Sequence, residues 1–265
     1  MPAFTVASDP RHVGLIDHLF ILRALILRDV RVRYRDNPFG FAMEFFRTVI
    51  VVTAHYYYFY IRNKQMPAGV PIEIFVIAGF SVWYSASYAM TAAMHGSESG
   101  GGIRIPGVTR IHLKVAKSIW AVLVNLVFCL ASVLFLNLHG DDLPMPAIPL
   151  TFLIFFLAGV VGFAWGLLLD GLGRIWPIIQ PVGKVSRWLL FVTCGIYFSL
   201  ALAPPILGEI FWYNPVLHLV EYERYAFDPG YPVAMVTLLY PAACAAGLLF
   251  FALMISRCMR HLERN

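Results

Sequence analysis

Asn214, Pro215, His218, Glu221 and Arg224 stand at helical spacing in one stretch, Asn-Pro-x-x-His-x-x-Glu-x-x-Arg, the densest gathering of side chains able to move protons or pair charges. On a helix His218, Glu221 and, roughly, Tyr225 share a face. Proton-transfer catalysis would need a reactive constellation around such a pair, and none accompanies it. The residues suit a structural hinge better. Asn214 is a good N-cap, Pro215 fits the first helical position, and Glu221 and Arg224 are i,i+3 neighbours able to pair. If pairing is their whole role, reversing both charges together rescues what either reversal alone loses.

Other chemistries fare no better. There is no His-Glu-x-x-His metal motif, no Gly-x-Ser-x-Gly nucleophile elbow and no Gly-x-x-x-x-Gly-Lys-Ser/Thr phosphate loop. Gly96-Ser97-Glu98-Ser99-Gly100-Gly101-Gly102 is glycine-rich but lacks the Lys-Ser/Thr that would neutralise phosphates, so it reads as a flexible cytoplasmic loop. An enzyme acting on lipid-linked sugars would cluster carboxylates at a cytoplasmic helix end to hold Mg²⁺ and pyrophosphate, whereas Glu44, Glu98 and Asp170 stand apart. Ion-coupled carriers keep ionisable groups inside their spans. Here only His55 sits well within an apolar run, where a bond to a neighbouring helix would satisfy it. Asp170 and Arg174 are spaced to pair across one helical turn. Cys129, Cys194, Cys244 and Cys258 are far apart, without CxxC spacing or His partners, and read as small buried residues. No catalytic residue, metal or cofactor is expected in this chain.

The elements that must position these residues are membrane spans. Of 265 residues, 60% are hydrophobic and 13% charged, with a mean hydropathy of +0.72, which makes the bilayer the expected solvent. The net charge of +5 would suit nucleic acid, but the basic residues fall between apolar runs and anionic lipid headgroups are the simpler partner. Asp17, His18 and Arg23 break the first apolar stretch and no small-residue cleavage site follows, so the first helix is expected to do the targeting. Crossing a bilayer takes about 20 apolar residues, and six runs approach or meet that: 42–61, 72–94, 118–138, 147–169, 188–207 and 233–255. In the first, Glu44 and Arg47 leave only Thr48 to Ile61 clean, about 14 residues or ~21 Å.

Basic residues beside the spans set orientation. Six (Arg11, Arg23, Arg28, Arg31, Arg33, Arg35) precede the first run, four (Arg104, Arg110, Lys114, Lys117) follow the second, three (Arg174, Lys184, Arg187) follow the fourth and three (Arg257, Arg260, Arg264) follow the last. Only Arg62, Lys64 and Arg224 lie on the other side, so both termini are expected in the cytoplasm. The chain reads as one all-α transmembrane domain, with an interface helix over 13–36, a six-span bundle over 37–256 and a cytoplasmic tail over 257–265. In the interface helix Leu15, Leu19, Leu22, Ile26 and Val30 form one stripe, with Asp17, Arg28, Arg31 and Arg35 opposite. Asn37-Pro38 and Gly40 then turn the chain into the bilayer. Residues 208–232 are too short and too polar to cross. A helix from Pro215 to about Ala226 is expected there, with Phe211, Trp212, Tyr213, Tyr222 and Tyr225 at headgroup depth.

Two patterns carry a resemblance. Leu27-Arg28-Asp29-Val30-Arg31-Val32-Arg33-Tyr34-Arg35, followed by Phe39-Gly40-Phe41, resembles the basic stretch and Leu-Gly-aromatic entry of ABC type 2 permeases of polysaccharide export. Trp212 to Glu221, with Arg224 and Pro229-Gly230-Tyr231, resembles the Asn-Pro-x-x-His-x-x-Glu-x-x-Arg segment of capsule exporters and is the more specific of the two. The layout agrees over nearly the whole chain. It departs at the start of the first span, where Met43, Arg47 and Thr48 occupy places that related permeases usually give to Trp and Glu-Pro.

The resemblance implies a subunit that works as a pair, with two separate ATP-binding subunits beneath it, moving a lipid-linked surface or capsular polysaccharide across the bacterial inner membrane. ATP and Mg²⁺ would then belong to the partner ATPase. Arg28, Arg31, Arg33, Arg35, Glu98, Arg104 and Arg110 lie on the largest cytoplasmic surface and are the expected ATPase contacts. A polymer that slides must be held weakly at many places, and Tyr56, Tyr57, Tyr60, Trp83, Tyr84 and Tyr88 offer flat faces for sugar rings. Tyr84 and Tyr88 share a helix face with Ser81, as a hydrated surface would require. Periplasmic export proteins and membrane lipids complete the expected partners. The alternatives are a type 2 permease for O-antigen, teichoic acid, a drug or a lipid, and a membrane enzyme acting on lipid-linked sugars.

Overall fold

The computed structural model describes residues 15–35, 40–61, 69–95, 109–233 and 235–262, and every α or β element among them is helical. The α-helices are α1 (Leu15–Arg35), α2 (Gly40–Ile61), α3 (Ile72–His95), α4 (Arg110–Leu138), α5 (Ile148–Ile175), α6 (Ile179–Thr193), α7 (Pro205–Trp212), α8 (Pro215–Phe227) and α9 (Leu239–Leu262). Four of them, α3, α4, α5 and α9, are long and apolar enough to cross a membrane. α2 has the length, 22 residues, but carries Glu44 and Arg47 in its first half. α6 has only 15 residues, ~22 Å of helix against ~30 Å of hydrocarbon.

α3 is the core of the bundle because it has no polar face to turn outward. Ile74 to Val82 is buried without a gap, and Ser85, Ala86, Ala89, Met90 and Ala93 continue the burial to the other end. α4, α5 and α8 all pack on it. The tightest crossing is with α5, where Gly162 and Gly166 stand four residues apart: a Cβ on Gly162 would fall on the Ala86 carbonyl oxygen and one on Gly166 on that of Met90. Lipid tails are as apolar as leucine, so close approach over small residues, rather than hydrophobic exclusion, holds such helices together. α4 and α9 lie at the periphery and expose Leu123, Val127, Leu134, Phe250, Phe251 and Leu253, the side chains that lipid would solvate.

One expectation is corrected by these helices. No single helix covers 188–207: α6 ends at Thr193, Gly195 takes φ +81, and a short 3-10 turn and the Pro204-Pro205 pair precede α7. Proline cannot continue a helix from within, and only glycine takes that φ without strain. In α1 Leu25 is buried and Leu19, on the apolar stripe, is 59% exposed; α1 packs along α4, where His18 Nδ1 lies 3.1 Å from His112 Nε2. α8 has the expected extent and is buried among the other helices. Val216 to Glu221, Glu223, Arg224, Ala226 and Phe227 are all buried, against α3 and α5.

Candidate functional site

α8 tolerates burial because most of its buried polar atoms are answered. Asn214 Oδ1 accepts from the Val216 N–H at 2.9 Å, capping the helix, while its Nδ2 donates to the Leu190 carbonyl and to Thr193 Oγ1, both at 2.8 Å. The side chain thus clamps the start of α8 to the end of α6, and Pro215 follows at the first helical position. His218 Nε2 donates to the Trp212 carbonyl at 2.7 Å and its Nδ1 accepts from the Thr237 N–H at 3.1 Å. Both bonds are met by one neutral tautomer, and burial holds the imidazole below its ordinary pKa.

Arg224 is the keystone. It is wholly buried and its Nη1 donates to Glu221 Oε1 at 2.9 Å, to Tyr231 Oη at 3.3 Å and to the Phe198 carbonyl at 3.3 Å. Nη2 donates to the Gly195 carbonyl at 2.8 Å and to that of Phe75 at 3.5 Å, and the guanidinium lies 3.4 Å from the centre of the Phe75 ring. Gly79 leaves room for it, since a Cβ there would sit 3.3 Å from Nη2. Glu221 Oε2 accepts from Ser199 Oγ at 3.0 Å and Tyr231 Oη at 3.1 Å. Breaking the chain at Gly195 leaves carbonyls without helical partners, and a buried carbonyl must find a donor. Arg224 supplies it. Arg224 therefore has contacts beyond its pair with Glu221, and a glutamate at 224 has no donor for the Gly195 and Phe198 carbonyls.

Glu223 escaped the sequence reading. It is completely buried on the opposite side of α8, where Oε1 accepts from Thr151 Oγ1 at 3.1 Å with Cys129 Sγ at 4.0 Å, and among the described residues Oε2 has no hydrogen-bond partner. The signal was present, because apolar residues on every side of 216–220 announce a helix buried all round. Burial pushes the Glu223 carboxyl up to about 8 from its ordinary 4.5. The native state then binds a proton that the unfolded chain releases, so stability falls by up to about 1.4 kcal/mol per unit as pH rises from ~4.5 to ~8. The thermal midpoint of detergent-solubilised protein is expected to drop across pH 5–8 more steeply than that of Glu223→Gln; parallel profiles would show that Glu223 keeps its charge.

A second cluster lies between α2, α3 and α6. Tyr84 and Tyr88 stack with ring centres 5.2 Å apart and planes at 7°. Arg47 of α2 lies 5.1 Å over the Tyr88 ring and donates to its hydroxyl. One turn further along α3, Arg187 of α6 donates to Thr91 Oγ1 at 3.2 Å. Toward the other end Phe80 meets Tyr84 at 5.9 Å and His55 at 4.4 Å. His55 Nδ1 lies 2.7 Å from the Val51 carbonyl and must donate to it, so Nε2 accepts from Tyr197 Oη at 3.0 Å. Residues 84, 88 and 91 follow one stripe of α3, and Tyr84 and Tyr88 are half-buried whereas both arginines are exposed. The result is a ladder of rings ending in two guanidinium groups that converge from separate helices.

The remaining expected residues fall elsewhere. Trp83 is buried against Phe191 at 5.4 Å, and Ser81 is buried and bonds its own helix at Ile77, so neither offers a hydrated surface. In the run Tyr56 to Tyr60 the residue that faces the core is Phe59; Tyr57, Tyr58 and Tyr60 are exposed and Tyr56 is half-buried. Tyr56, Tyr57 and Tyr60 are not brought beside Tyr84 and Tyr88. Lys114, counted among loop cations, is buried within α4 and pairs with Asp170 Oδ2 at 2.7 Å, beside the Arg174–Asp170 pair at 2.9 Å. Arg28 is half-buried and Arg31 exposed on α1, Arg33 and Arg35 belong to its last turn, and Arg110 is exposed at the start of α4. Glu98 and Arg104 lie outside the described residues.

No protein-family model matches the chain. Over 243 residues it is 24% identical to a polysialic acid transport protein, KpsM, of Escherichia coli, covering 89% of this chain and 92% of the relative. A second Escherichia coli protein of the same name is 23% identical over the same shares. Similarity along nearly the whole of both chains bears out the resemblance to permeases of polysaccharide export.

Proposed function

We infer that this chain is the membrane permease of an ATP-driven exporter that moves a lipid-linked surface or capsular polysaccharide across the bacterial inner membrane. Two copies enclose the conduit, and two ATP-binding subunits, which hold the ATP and Mg²⁺, drive it from the cytoplasm. α2 and α6 complete six crossings with α3, α4, α5 and α9, α6 through the broken segment that follows it, and both termini are cytoplasmic. The asymmetry of basic residues supports that orientation. An alkaline-phosphatase fusion after Leu138 is expected to be active; an inactive one would remove the topology.

Energy enters through α1 and the segment leading into α4. α1 packs on α4, so a partner gripping Arg28, Arg31 or Arg110 would move both helices. Arg33, Arg35, Glu98 and Arg104 belong to the same proposed contact. Nucleotide-dependent grip on such loops biases a two-state bundle. Periplasmic export proteins would receive the polymer, and nucleic acid has no part in the reading.

The observation that carries the substrate class is the ring ladder Tyr84–Tyr88 with Arg47 above it. A pyranose presents a C–H face to an aromatic ring, and guanidinium groups pair with carboxylates or phosphates on a polymer. The relatives are polysialic acid transport proteins, and polysialic acid is such a polymer. Contacts of this kind are individually weak and tolerant of register, which lets a long chain keep moving. Asn214, Pro215, His218, Glu221 and Arg224 frame the outer mouth as a structural unit. Changing Tyr84 and Tyr88 together to leucine keeps much of the bulk but not the flat face. Surface polysaccharide at matched protein level is expected to fall roughly tenfold. Normal export in that variant would make both tyrosines packing residues.

A further inference from the structure

A cavity of about 620 Å³ lies on the far side of α2 from the ring ladder, walled by α2, α3 and α4. Its lining is apolar along most of its length, with Phe45, Val49, Phe128 and Ala131 among the wall residues, and it ends between two carboxylates, Glu73 at the start of α3 and Asp141 just past the end of α4. Glu73 lies beside Tyr56 at the rim. Among the described residues, no lysine or arginine lines it.

We propose that this groove binds a phospholipid with a primary-amine headgroup, drawn from the outer leaflet of the membrane the chain spans. Three features select this occupant. The α2 wall from Phe45 to Tyr57 spans 13 residues, ~18 Å of helix rise, which is close to half of a ~30 Å hydrocarbon core and so to the depth of one leaflet. The wall is apolar, as an acyl chain requires. The acidic end lies at the chain's outer side, where Glu73 and Asp141 complement an ammonium group and would repel a headgroup that is only anionic. α2 carries Arg47 and His55 toward the ring ladder, so a lipid wedged behind it holds the conduit wall in place from outside.

The test is lipid titration of the full-length, delipidated protein, followed by native mass spectrometry, with phosphatidylethanolamine and phosphatidylglycerol of identical acyl chains. The expected result is retention of phosphatidylethanolamine with about tenfold preference, lost in Glu73→Gln with Asp141→Asn while binding of the acyl chain persists. Ala131→Trp, which fills the groove, is expected to abolish retention of both lipids. Equal binding of the two lipids by the unaltered protein, or an unchanged preference in the Glu73→Gln, Asp141→Asn variant, would overturn the headgroup assignment. Undiminished retention in Ala131→Trp would overturn the groove. Efficient disulfide formation between two copies carrying Ala131→Cys in membranes would put a second copy there instead.

Discussion

Replacing Arg224 by methionine is expected to cost about 3–5 kcal/mol, enough to deplete the folded protein from membranes, because it strands the Glu221 carboxylate in the core. The loss is larger than the missing ion pair alone suggests. The same substitution removes donors from the Gly195, Phe198 and Phe75 carbonyls, which lie where α6 has unwound or at the entry of α3. Glu221→Gln combined with Arg224→Met is expected to recover part of the loss, since it removes the stranded charge while Ser199 and Tyr231 can still donate to the amide oxygen. The charge-swapped pair, Glu221→Arg with Arg224→Glu, is expected to behave no better than Arg224→Met. Thermal unfolding in detergent and the monodisperse fraction on size exclusion read the order directly. A swapped pair as stable as the parent would mean that charge balance, and not the carbonyl contacts, fixes this arginine.

Gly162→Val and Gly166→Val are expected to separate α3 from α5 and cost at least 1–3 kcal/mol each, the overpacking range, because the obstacles are main-chain oxygens that cannot rotate away. A clash with a flexible side chain relaxes by a rotamer change, as the Val122 side chain facing Gly159 can. Neither Ala86 nor Met90 has that recourse for its carbonyl. Gly247→Ala in α9 is the control: a Cβ there meets nothing within 4 Å, so the change is expected to be neutral or stabilising by up to about 1 kcal/mol. Midpoints of thermal unfolding for the three variants check the order. Valine variants as stable as the control would show that the α3–α5 crossing is not close-packed.

The difference between these two sites and the residues singled out from spacing is instructive. Local spacing located the Asn214 cap, the i,i+3 approach of Glu221 and Arg224, and the i,i+4 approach of Asp170 and Arg174, because each partner lies within one helical turn. Spacing did not reveal that Lys114 crosses from α4 to Asp170, nor that Asn214 reaches back to Leu190 and Thr193. Those contacts join residues far apart in the chain, and no local period encodes them. The Gly162-x-x-x-Gly166 spacing weighs little by itself and gains meaning only with the Ala86 and Met90 carbonyls opposite.

By itself the sequence determined that the chain is helical and suited to a bilayer, since apolar runs of span length leave the backbone no other way to satisfy its hydrogen bonds in lipid. It also determined the extent of α8, whose cap and first-turn proline are adjacent residues. Only the tertiary structure decided the depth of α8 and the break after α6, which are one decision: a buried guanidinium supplies the donors that unwound carbonyls lack, and the unwound carbonyls supply acceptors that make the guanidinium tolerable in the core. Only it decided, too, which tyrosines share a surface. Tyr56 to Tyr60 point all round α2, and the neighbours that select Phe59 for the core are Phe75 of α3 and Tyr197 in the segment after α6, while Arg47 of α2 meets Tyr88 of α3; these partners lie far along the chain, so no property of the tyrosines encodes the choice.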